Sequence, residues 1–358
     1  EGSERPSRFL FELLIDEAVY ELSFSATRKS VLEEKLVLIA RNSEKVLYDR
    51  RDGKIHLHRS LAEKPFLRFA FKGTRDNQLF LTNSVSQKID NFLPIYNWFK
   101  DSLTLIAPSW RFGPFEQFLD EKNPLCETMN TLLRQLDTGI ERLGGEEVPL
   151  DEIPWPESVK SKLQKHLKEG AIIRQRGGSS REQLAITREN GLLLARKMIA
   201  YHLRQDGTEQ RFDIHQESDG SQRLLDLLPA FLGLIEQRST EVFVVDEIDR
   251  SLHTLLIRQL LEAYLSACKP ESRAQLLLTT HNALLMDQHL LRRDEIWVTE
   301  RDALGVSKLF SFSEYKDMRY DKDIRKSYLQ GRLGGIPRIL LGGAMKNPHS
   351  AKECEGSN

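Results

Sequence analysis

A short apolar run that ends in two acidic residues constrains this chain more than any other feature. The run Val242–Val245 reads VFVV and is followed directly by Asp246 and Glu247. Four consecutive apolar residues are typical of a strand buried on both faces, as in a parallel sheet. Two carboxylates at the end of such a strand are costly unless they meet a cation or transfer a proton. The pattern indicates either a nucleotide site, or a strand that ends at the surface and begins an acidic loop.

In the nucleotide interpretation the two acids have different roles. Asp246 would hold Mg²⁺ through water, and Glu247 would orient or deprotonate the water that attacks a γ-phosphate. A second apolar run, LLLTTH, ends at His281. An imidazole at a strand end can reach a phosphate or the attacking water, although a single histidine here is also an ordinary loop residue.

A third element lies upstream of both strands. ESDGSQR, from Glu217 to Arg223, precedes the apolar stretch LLDLLPAFLGLIEQ. A Ser-x-Gly turn that opens a helix presents free backbone N–H groups, which can bind an anion. Alternatively, Ser218 and Asp219 simply cap the helix. The order of helix start, acidic strand end and histidine-tipped strand is more specific than any one element.

These elements resemble the motifs of ABC-type ATPases of the SMC and RecF kind. ESDGSQRLL resembles the signature motif, VFVVDEID the Walker B motif, RSLH the D-loop, and LLLTTHN the switch-histidine motif. The chain resembles bacterial AbiLi-like ATPases of the abortive-infection group more closely; these are often described as AAA-family ATP-binding proteins. The resemblance covers Phe9 to about Ile339, and it is specific after Glu217 and weak before it.

The resemblance implies an α/β fold of the ABC-type P-loop NTPase class, with a parallel core sheet, an N-terminal antiparallel β region and an inserted helical element. It also implies a site in which two chains sandwich ATP. Ser218 and Gly220 would contact the γ-phosphate bound by the partner chain, while Asp246, Glu247 and His281 would serve the nucleotide of their own chain. ATP and Mg²⁺ are the implied ligands, and a homodimer or larger assembly is the implied state.

The D-loop match adds two further candidates for nucleotide binding, Arg250 and His253. The signature match departs from the LSGGQ pattern, since Glu217 stands in place of its leucine and Asp219 in place of a glycine. Both acids add negative charge near a triphosphate. We therefore expect their carboxylates to point away from it or to pair with Arg223.

The phosphate-gripping loop G-x-x-x-x-G-K-[ST] is not found in the 358 residues. That loop needs its lysine and its backbone amides to hold the phosphates. We expect it to belong to a segment missing upstream; a degenerate protein that no longer hydrolyses ATP is the other explanation. The chain as given is not expected to bind ATP well.

Composition agrees with a cytoplasmic α/β protein. The net charge is −1, so no overall attraction to nucleic acid is implied, although RRDGKIHLHR (Arg50 to Arg59) is either a local basic face or a charged hairpin turn. Cys126, Cys268 and Cys354 lack metal-ligand or redox spacing, which suits a reducing compartment. No apolar run approaches the roughly 18 residues of a membrane span.

The order of patterns predicts four parts. Residues 1–100 form a β-rich region, in which a hairpin turns at Asp16–Glu17 and FLRFAF is another strand. Residues 101–180 form the helical insertion, with a long helix over 115–143 and a basic helix in ESVKSKLQKHLKEG. Residues 181–345 form the C-terminal ATPase lobe, which opens with a strand pair, EQLAITREN and LLLARKMIAYHL. Residues 346–358 are a flexible tail.

Three functions remain open from the sequence. The first is hydrolysis of ATP to ADP and phosphate by a sensor or scaffold of antiphage defence, which controls a separate effector such as a nuclease or toxin. The second is a DNA repair or maintenance ATPase of the RecF or SMC kind. The third is a nuclease of the Toprim type, for which Asp321 and Asp323 match a DxD pair in letters only.

Overall fold

The computed structural model describes residues 5–113, 115–120, 122–153, 155–176, 183–235, 239–302, 304–315 and 324–335. The chain divides into two units that are described separately. The first contains Glu1–Ala107, Leu232–Val245 and Lys269–Leu277. The second contains Pro108–Phe231, Asp246–Cys268 and Leu278–Asn358.

The elements follow one another in chain order. The N-terminal part contains β1 (Ser7–Ile15), β2 (Ala18–Ala26), β3 (Val31–Ala40), β4 (Ser43–Arg51), β5 (Lys54–Leu57), α1 (Arg59–Ala62), α2 (Pro65–Lys72), α3 (Phe80–Ser86), α4 (Leu93–Asn97) and β6 (Leu103–Ile106). The middle contains α5 (Pro124–Gln135), β7 (Arg142–Val148), α6 (Glu157–His166), β8 (Ile172–Arg176), β9 (Gln183–Glu189), β10 (Leu192–Leu203) and β11 (Glu209–Asp213). The C-terminal part contains α7 (Asp219–Ile235), β12 (Val242–Val245), α8 (Thr254–Ala267), β13 (Gln275–Leu278), β14 (Trp297–Arg301), β15 (Ser307–Ser311) and α9 (Ile324–Leu329).

Strands β1 to β5 form an antiparallel meander in the first unit. Asp16 and Glu17 join β1 to β2 with positive φ angles of 47° and 65°, and Asp52 and Gly53 join β4 to β5 with 49° and 69°. Two-residue turns with positive φ at both positions match the right-handed twist of the flanking strands. The predicted hairpin at Asp16–Glu17 is confirmed.

Helices rather than further strands complete the first unit. The prediction that FLRFAF is a strand is wrong, because these residues lie in α2. Pro65 occupies the first turn of that helix, where its missing N–H costs nothing. Leu67 and Ala70 are buried at a spacing of three residues, as on one face of a helix, while Phe69 is exposed.

One buried carboxylate joins the meander to α3. Glu34 of β3 accepts hydrogen bonds from the Tyr48 hydroxyl (2.8 Å) and from the backbone N–H groups of Phe80 (2.6 Å) and Leu81 (2.9 Å). The residue before α3 is Leu79, whose side chain makes no capping hydrogen bond. Glu34 therefore caps the helix from 46 residues away. Burial raises the pKa of Glu34, an effect that these hydrogen bonds and the nearby Arg50 oppose.

Two parallel strands of the first unit lead towards the acidic pair. β6 and β12 pair in parallel, with Val245 opposite Ile106, and β13 is the other neighbour of β12. The apolar run VFVV is thus a strand in a sheet with parallel pairing, as predicted. The complete ABC-type arrangement of the core stays a proposal.

The second unit is built on an antiparallel sheet of order β11, β10, β9, β8, with β7 also paired to β10. Asn190 and Gly191 turn β9 into β10 with positive φ angles, so the predicted strand pair is confirmed. The helical element expected over 101–180 contains β6, β7 and β8 as well as α5 and α6. The predicted helix over 115–143 is shorter in the structure, where only α5 is α-helical. Asn123 caps the start of α5.

Several predictions fall on residues that the structure does not describe. These are the Asp321–Asp323 pair and the tail 346–358. The domain boundaries themselves stay a proposal. Within the described ranges, no helix has both the length and the apolar character needed to cross a membrane.

The Glu34 cap predicts a large difference between two neighbouring glutamates. Glu34→Leu leaves a tyrosine hydroxyl and two backbone N–H groups without their partner and removes the counter-charge of the buried Arg50, so we expect a loss of about 3–5 kcal/mol in the free energy of unfolding. Glu33 is the matched control, since its side chain is half-exposed and pairs only loosely with Arg51 at 3.8 Å. Glu33→Leu should change stability by less than about 0.5 kcal/mol. Urea denaturation measures both, and equal losses would contradict the capping role.

Candidate functional site

The chain reverses direction immediately after β12. Asp246 is exposed there, and Glu247 has a φ of 48°, in the left-handed region that side chains other than glycine rarely adopt. The next residue, Ile248, is fully buried, and its N–H donates to the carbonyl of Thr279 at 3.0 Å. The buried isoleucine anchors the turn, so both carboxylates are presented at its surface.

A single hydroxyl connects the two acids. Thr279 Oγ1 donates to Asp246 Oδ1 at 2.6 Å and accepts from the backbone N–H of Glu247 at 2.9 Å. Sequence reasoning gave Thr279 no role, although its position directly after the apolar run of β13 was a usable signal. The hydroxyl fixes the orientation of the Asp246 carboxylate and holds the backbone of Glu247 in its left-handed conformation.

His281 lies next to Glu247. Its Nε2 is 3.9 Å from Glu247 Oε1, with side chains that are 85% and 42% exposed. At that exposure the ion pair contributes little to stability. The two side chains are, however, close enough to act on the same water molecule. The backbone N–H of His281 donates to the Asp249 carboxylate at 3.3 Å, a contact that sequence reasoning missed.

The start of α7 is capped as a helix N-terminus should be. Ser218 Oγ accepts from the N–H of Ser221 at 3.0 Å and also lies 3.0 Å from its hydroxyl. A Cβ on Gly220 would lie 2.8 Å from the carbonyl oxygen of Ser251, a residue with a φ of 62°. The helix start and the turn that follows the acids therefore touch within one chain, and only glycine fits between them.

The two D-loop candidates have structural roles in this geometry. His253 Nδ1 accepts from the N–H of Leu255 at 3.3 Å and caps α8. Arg250 is exposed, and its N–H donates to the carbonyl of Glu247 at 3.0 Å. The nucleotide-binding roles of both residues, like those of Ser218 and Gly220, stay predictions.

A buried cation lies behind the acidic turn. Arg223 of α7 is buried, and its Nη2 is 3.4 Å from the carbonyl oxygen of Asp246. Burial lowers its pKa, and the charges of Arg111 and Arg250 act in the same direction, while Asp226 and Glu247 oppose it. Sequence reasoning expected Arg223 only as a partner for Glu217 or Asp219, yet it contacts the backbone of the acidic turn.

Asp226 is a second buried charge on α7. It accepts from Arg111 Nη1 at 2.8 Å and from the N–H of Phe112 at 2.9 Å. Burial raises the pKa of Asp226, and these two hydrogen bonds oppose that shift. The pair with Arg111 ties the helix to the segment that begins the second unit, and nothing in the sequence pattern pointed to it.

The acidic turn suits a magnesium ion that arrives with a ligand. Within the described ranges no group of three or more histidine, cysteine, aspartate or glutamate side chains could hold a metal alone. Mg²⁺, however, keeps several waters and commonly binds one or two carboxylates together with substrate phosphates. The exposed Asp246, with its orientation set by Thr279, has the chemistry for that arrangement.

Comparison with known proteins gives one family. A family model described as "AAA domain, putative AbiEii toxin, Type IV TA system" matches residues 1–287. The match includes the helix start of α7, the acidic turn and His281. No curated protein matches the chain.

The contact between Gly220 and Ser251 predicts unequal effects of the same substitution in one helix. Gly220→Ala forces a Cβ against a backbone carbonyl, so we expect a loss of about 1–3 kcal/mol in the free energy of unfolding. Gly233 of α7 is the matched control, because its Cβ would meet only the flexible end of the Glu241 side chain. Gly233→Ala should be neutral or stabilising by up to about 1 kcal/mol, from helix propensity. Thermal or urea unfolding compares the two, and equal effects would argue against the close contact.

Proposed function

We propose that this chain, which belongs to the AAA-domain family described as a putative AbiEii toxin of Type IV toxin–antitoxin systems, supplies the hydrolytic half of a composite ATP site. The observation that carries the proposal is the acidic turn after β12. There Thr279 fixes the Asp246 carboxylate and the Glu247 backbone together, and His281 lies 3.9 Å from Glu247.

The proposed chemistry assigns one task to each group. Asp246 would hold Mg²⁺, through water, next to the nucleotide phosphates; bound there, the ion neutralises charge on those phosphates. Glu247 would accept a proton from the water whose oxygen attacks the γ-phosphorus, with ADP as the leaving group. His281, exposed beside Glu247, would orient that water or contact the γ-phosphate.

The signature would act on the nucleotide of a partner chain. Capping by Ser218 leaves the first turn of α7 well ordered, and the first N–H groups of a helix bind anions. The contact between Gly220 and Ser251 joins this helix start to the loop that follows the acids. We therefore propose that two copies of the chain associate, each completing the site of the other.

The phosphate-gripping loop would come from a segment outside these 358 residues. The outer strands of the three-stranded sheet support this, since Leu277 of β13 and Leu105 of β6 are 61% and 62% exposed. Strands with parallel pairing are normally buried on both faces. We propose that the segment with the G-x-x-x-x-G-K-[ST] loop packs against this sheet.

In the cell, the ATPase would act in antiphage or toxin–antitoxin defence. The family description supports that setting. We propose a sensor or scaffold whose nucleotide state controls a separate effector, such as a nuclease or toxin. The motif resemblance to abortive-infection ATPases supports this part of the proposal.

Loss of the base should abolish turnover without abolishing binding. In the full-length protein, Glu247→Gln should reduce ATP hydrolysis by about 10²- to 10⁴-fold, the usual contribution of a general base. Its affinity for ATP should persist, because the glutamine has the same shape. Glu271, an exposed loop residue, provides the control Glu271→Gln, with wild-type turnover expected. Equal rates for the wild type and Glu247→Gln would exclude Glu247 as the base.

The hydroxyl of Thr279 should matter more than its shape. Thr279→Val keeps the volume but removes the hydrogen bonds to Asp246 and Glu247. We therefore expect about a 10- to 100-fold loss of turnover and a higher Mg²⁺ concentration at half-maximal rate. Thr279→Ser restores the hydroxyl and should recover most of the rate. Steady-state hydrolysis at several Mg²⁺ concentrations distinguishes them. If serine and valine behave alike, the bridging hydroxyl has no catalytic importance.

A further inference from the structure

A histidine that none of the motifs contains holds the residue before the signature serine. His202, on β10, places its Nε2 2.6 Å from Glu217 Oε1. The Glu217 side chain is only 6% exposed, and His202 is one-quarter exposed. Since a carboxylate accepts, the Nε2–H of the imidazole is the donor. A short, largely buried hydrogen bond thus fixes the carboxylate that stands where the LSGGQ pattern has leucine.

The imidazole is itself held from two sides. The ring of Phe212 meets it edge-on, with the centroids 4.9 Å apart. Gly139 passes close on another side, since a Cβ there would lie 3.2 Å from His202 Nδ1. Gly139 also has a φ of 74°, which suits glycine. A ring fixed by both neighbours gives Glu217 one preferred position.

The backbone of Glu217 is joined to the start of α7. Its N–H donates to the carbonyl of Ile214 at 3.3 Å, and its own carbonyl accepts from Gln222 Nε2 at 2.7 Å. Ser218, which caps α7, is the next residue. The backbone of Glu217 is therefore held by Ile214 and Gln222 directly before the capping serine.

We propose that His202 is a positioning residue for the signature, and that it acts by keeping the Glu217 carboxylate turned to β10 and away from the start of α7. This inference rests on the proposed function, in which that helix start receives the γ-phosphate bound by a partner chain. Without His202, a buried carboxylate loses its donor and is free to turn toward the phosphate. The negative charges of the carboxylate and of the γ-phosphate then repel each other. As a result, the nucleotide bound by the partner chain is held less well during hydrolysis.

The inference predicts a defect in hydrolysis rather than in binding by the same chain. We expect His202→Phe in the full-length protein to lower turnover about tenfold or more, because the ring packing remains while the donor is lost. Binding of a non-hydrolysable ATP analogue to the dilute, unassociated chain should stay at the wild-type value. His202→Gln keeps a donor and should recover most of the rate. The control is His215→Phe, since His215 is an exposed histidine of the same segment, 3.9 Å from Asp213.

Removing the charge should remove the need for the histidine. The double variant His202→Phe/Glu217→Leu replaces a buried polar pair by an apolar one, which proteins often tolerate well. We expect it to hydrolyse ATP faster than His202→Phe alone and at close to the wild-type rate. A double variant that is no better than His202→Phe overturns the charge argument. If His202→Phe does not fold, the rate of ATP hydrolysis by the double variant is compared with the rates of Glu217→Leu and of the wild type. A double variant that matches them supports the charge argument, and a slower one overturns it.

A heterodimer tests whether His202 acts on the partner's site. One chain carries His202→Phe and the other Glu247→Gln, with different tags so that only mixed dimers are purified. One of the two composite sites then has an intact signature and an intact Glu247, so about half the wild-type rate is expected in a two-fold dimer. A mixed dimer as inactive as both parents overturns action in trans.

The two proposals fail in different ways. A wild-type protein that hydrolyses ATP no faster than Glu247→Gln overturns the proposed function, and the role of His202 falls with it. A wild-type protein that depends on Glu247 but is matched in rate by His202→Phe overturns only the positioning role.

Discussion

The candidate site depends on the way in which one strand ends. β12 must stay in its sheet up to Val245, and the chain must then leave it within two residues without burying a charge. Glu247 makes that exit in the left-handed region, which costs free energy at a residue with a side chain. The hydrogen bonds that Thr279 accepts from the backbone N–H groups of Glu247 and Ile248, together with the burial of Ile248, offset the cost. The same contacts present both carboxylates to solvent, so the fold and the site share one set of interactions.

Sequence patterns predicted the fold best where local chemistry agrees with the tertiary structure. The Asp16–Glu17 and Asn190–Gly191 turns, the strand β12 and the helix α7 all have strong local signals. FLRFAF is rich in apolar and aromatic residues, which suits a strand, but Pro65 and the burial of Leu67 and Ala70 favour a helix. The pairing of β7 with β10 depends on residues about fifty positions apart, and no local pattern reports it.

The residues of the candidate site likewise divide into those that a local pattern predicts and those that it does not. Asp246, Glu247 and His281 were predicted from the sequence because the end of a buried strand is marked by a change from apolar to polar residues. The structure places Glu247 and His281 close together. Thr279 was given no role, although its place after the apolar run of β13 was a signal, and Arg223 was named only as a partner for Glu217 or Asp219. His202 was missed, because a histidine in a strand has no distinguishing pattern of its own. Only the structure shows that Thr279 bonds both acids, that Arg223 is a buried cation, and that His202 holds Glu217.

The cap on α3 has a consequence for the order of folding. α3 has seven residues, and a helix of that length is unstable in isolation. Its cap, Glu34, lies on β3 and is itself held by Tyr48 of β4. We therefore expect the meander to form first and the helix to consolidate late, which low φ-values for substitutions within α3 would show. During synthesis the capping carboxylate emerges well before the helix that needs it, so the meander and α3 are made in the order in which they can fold.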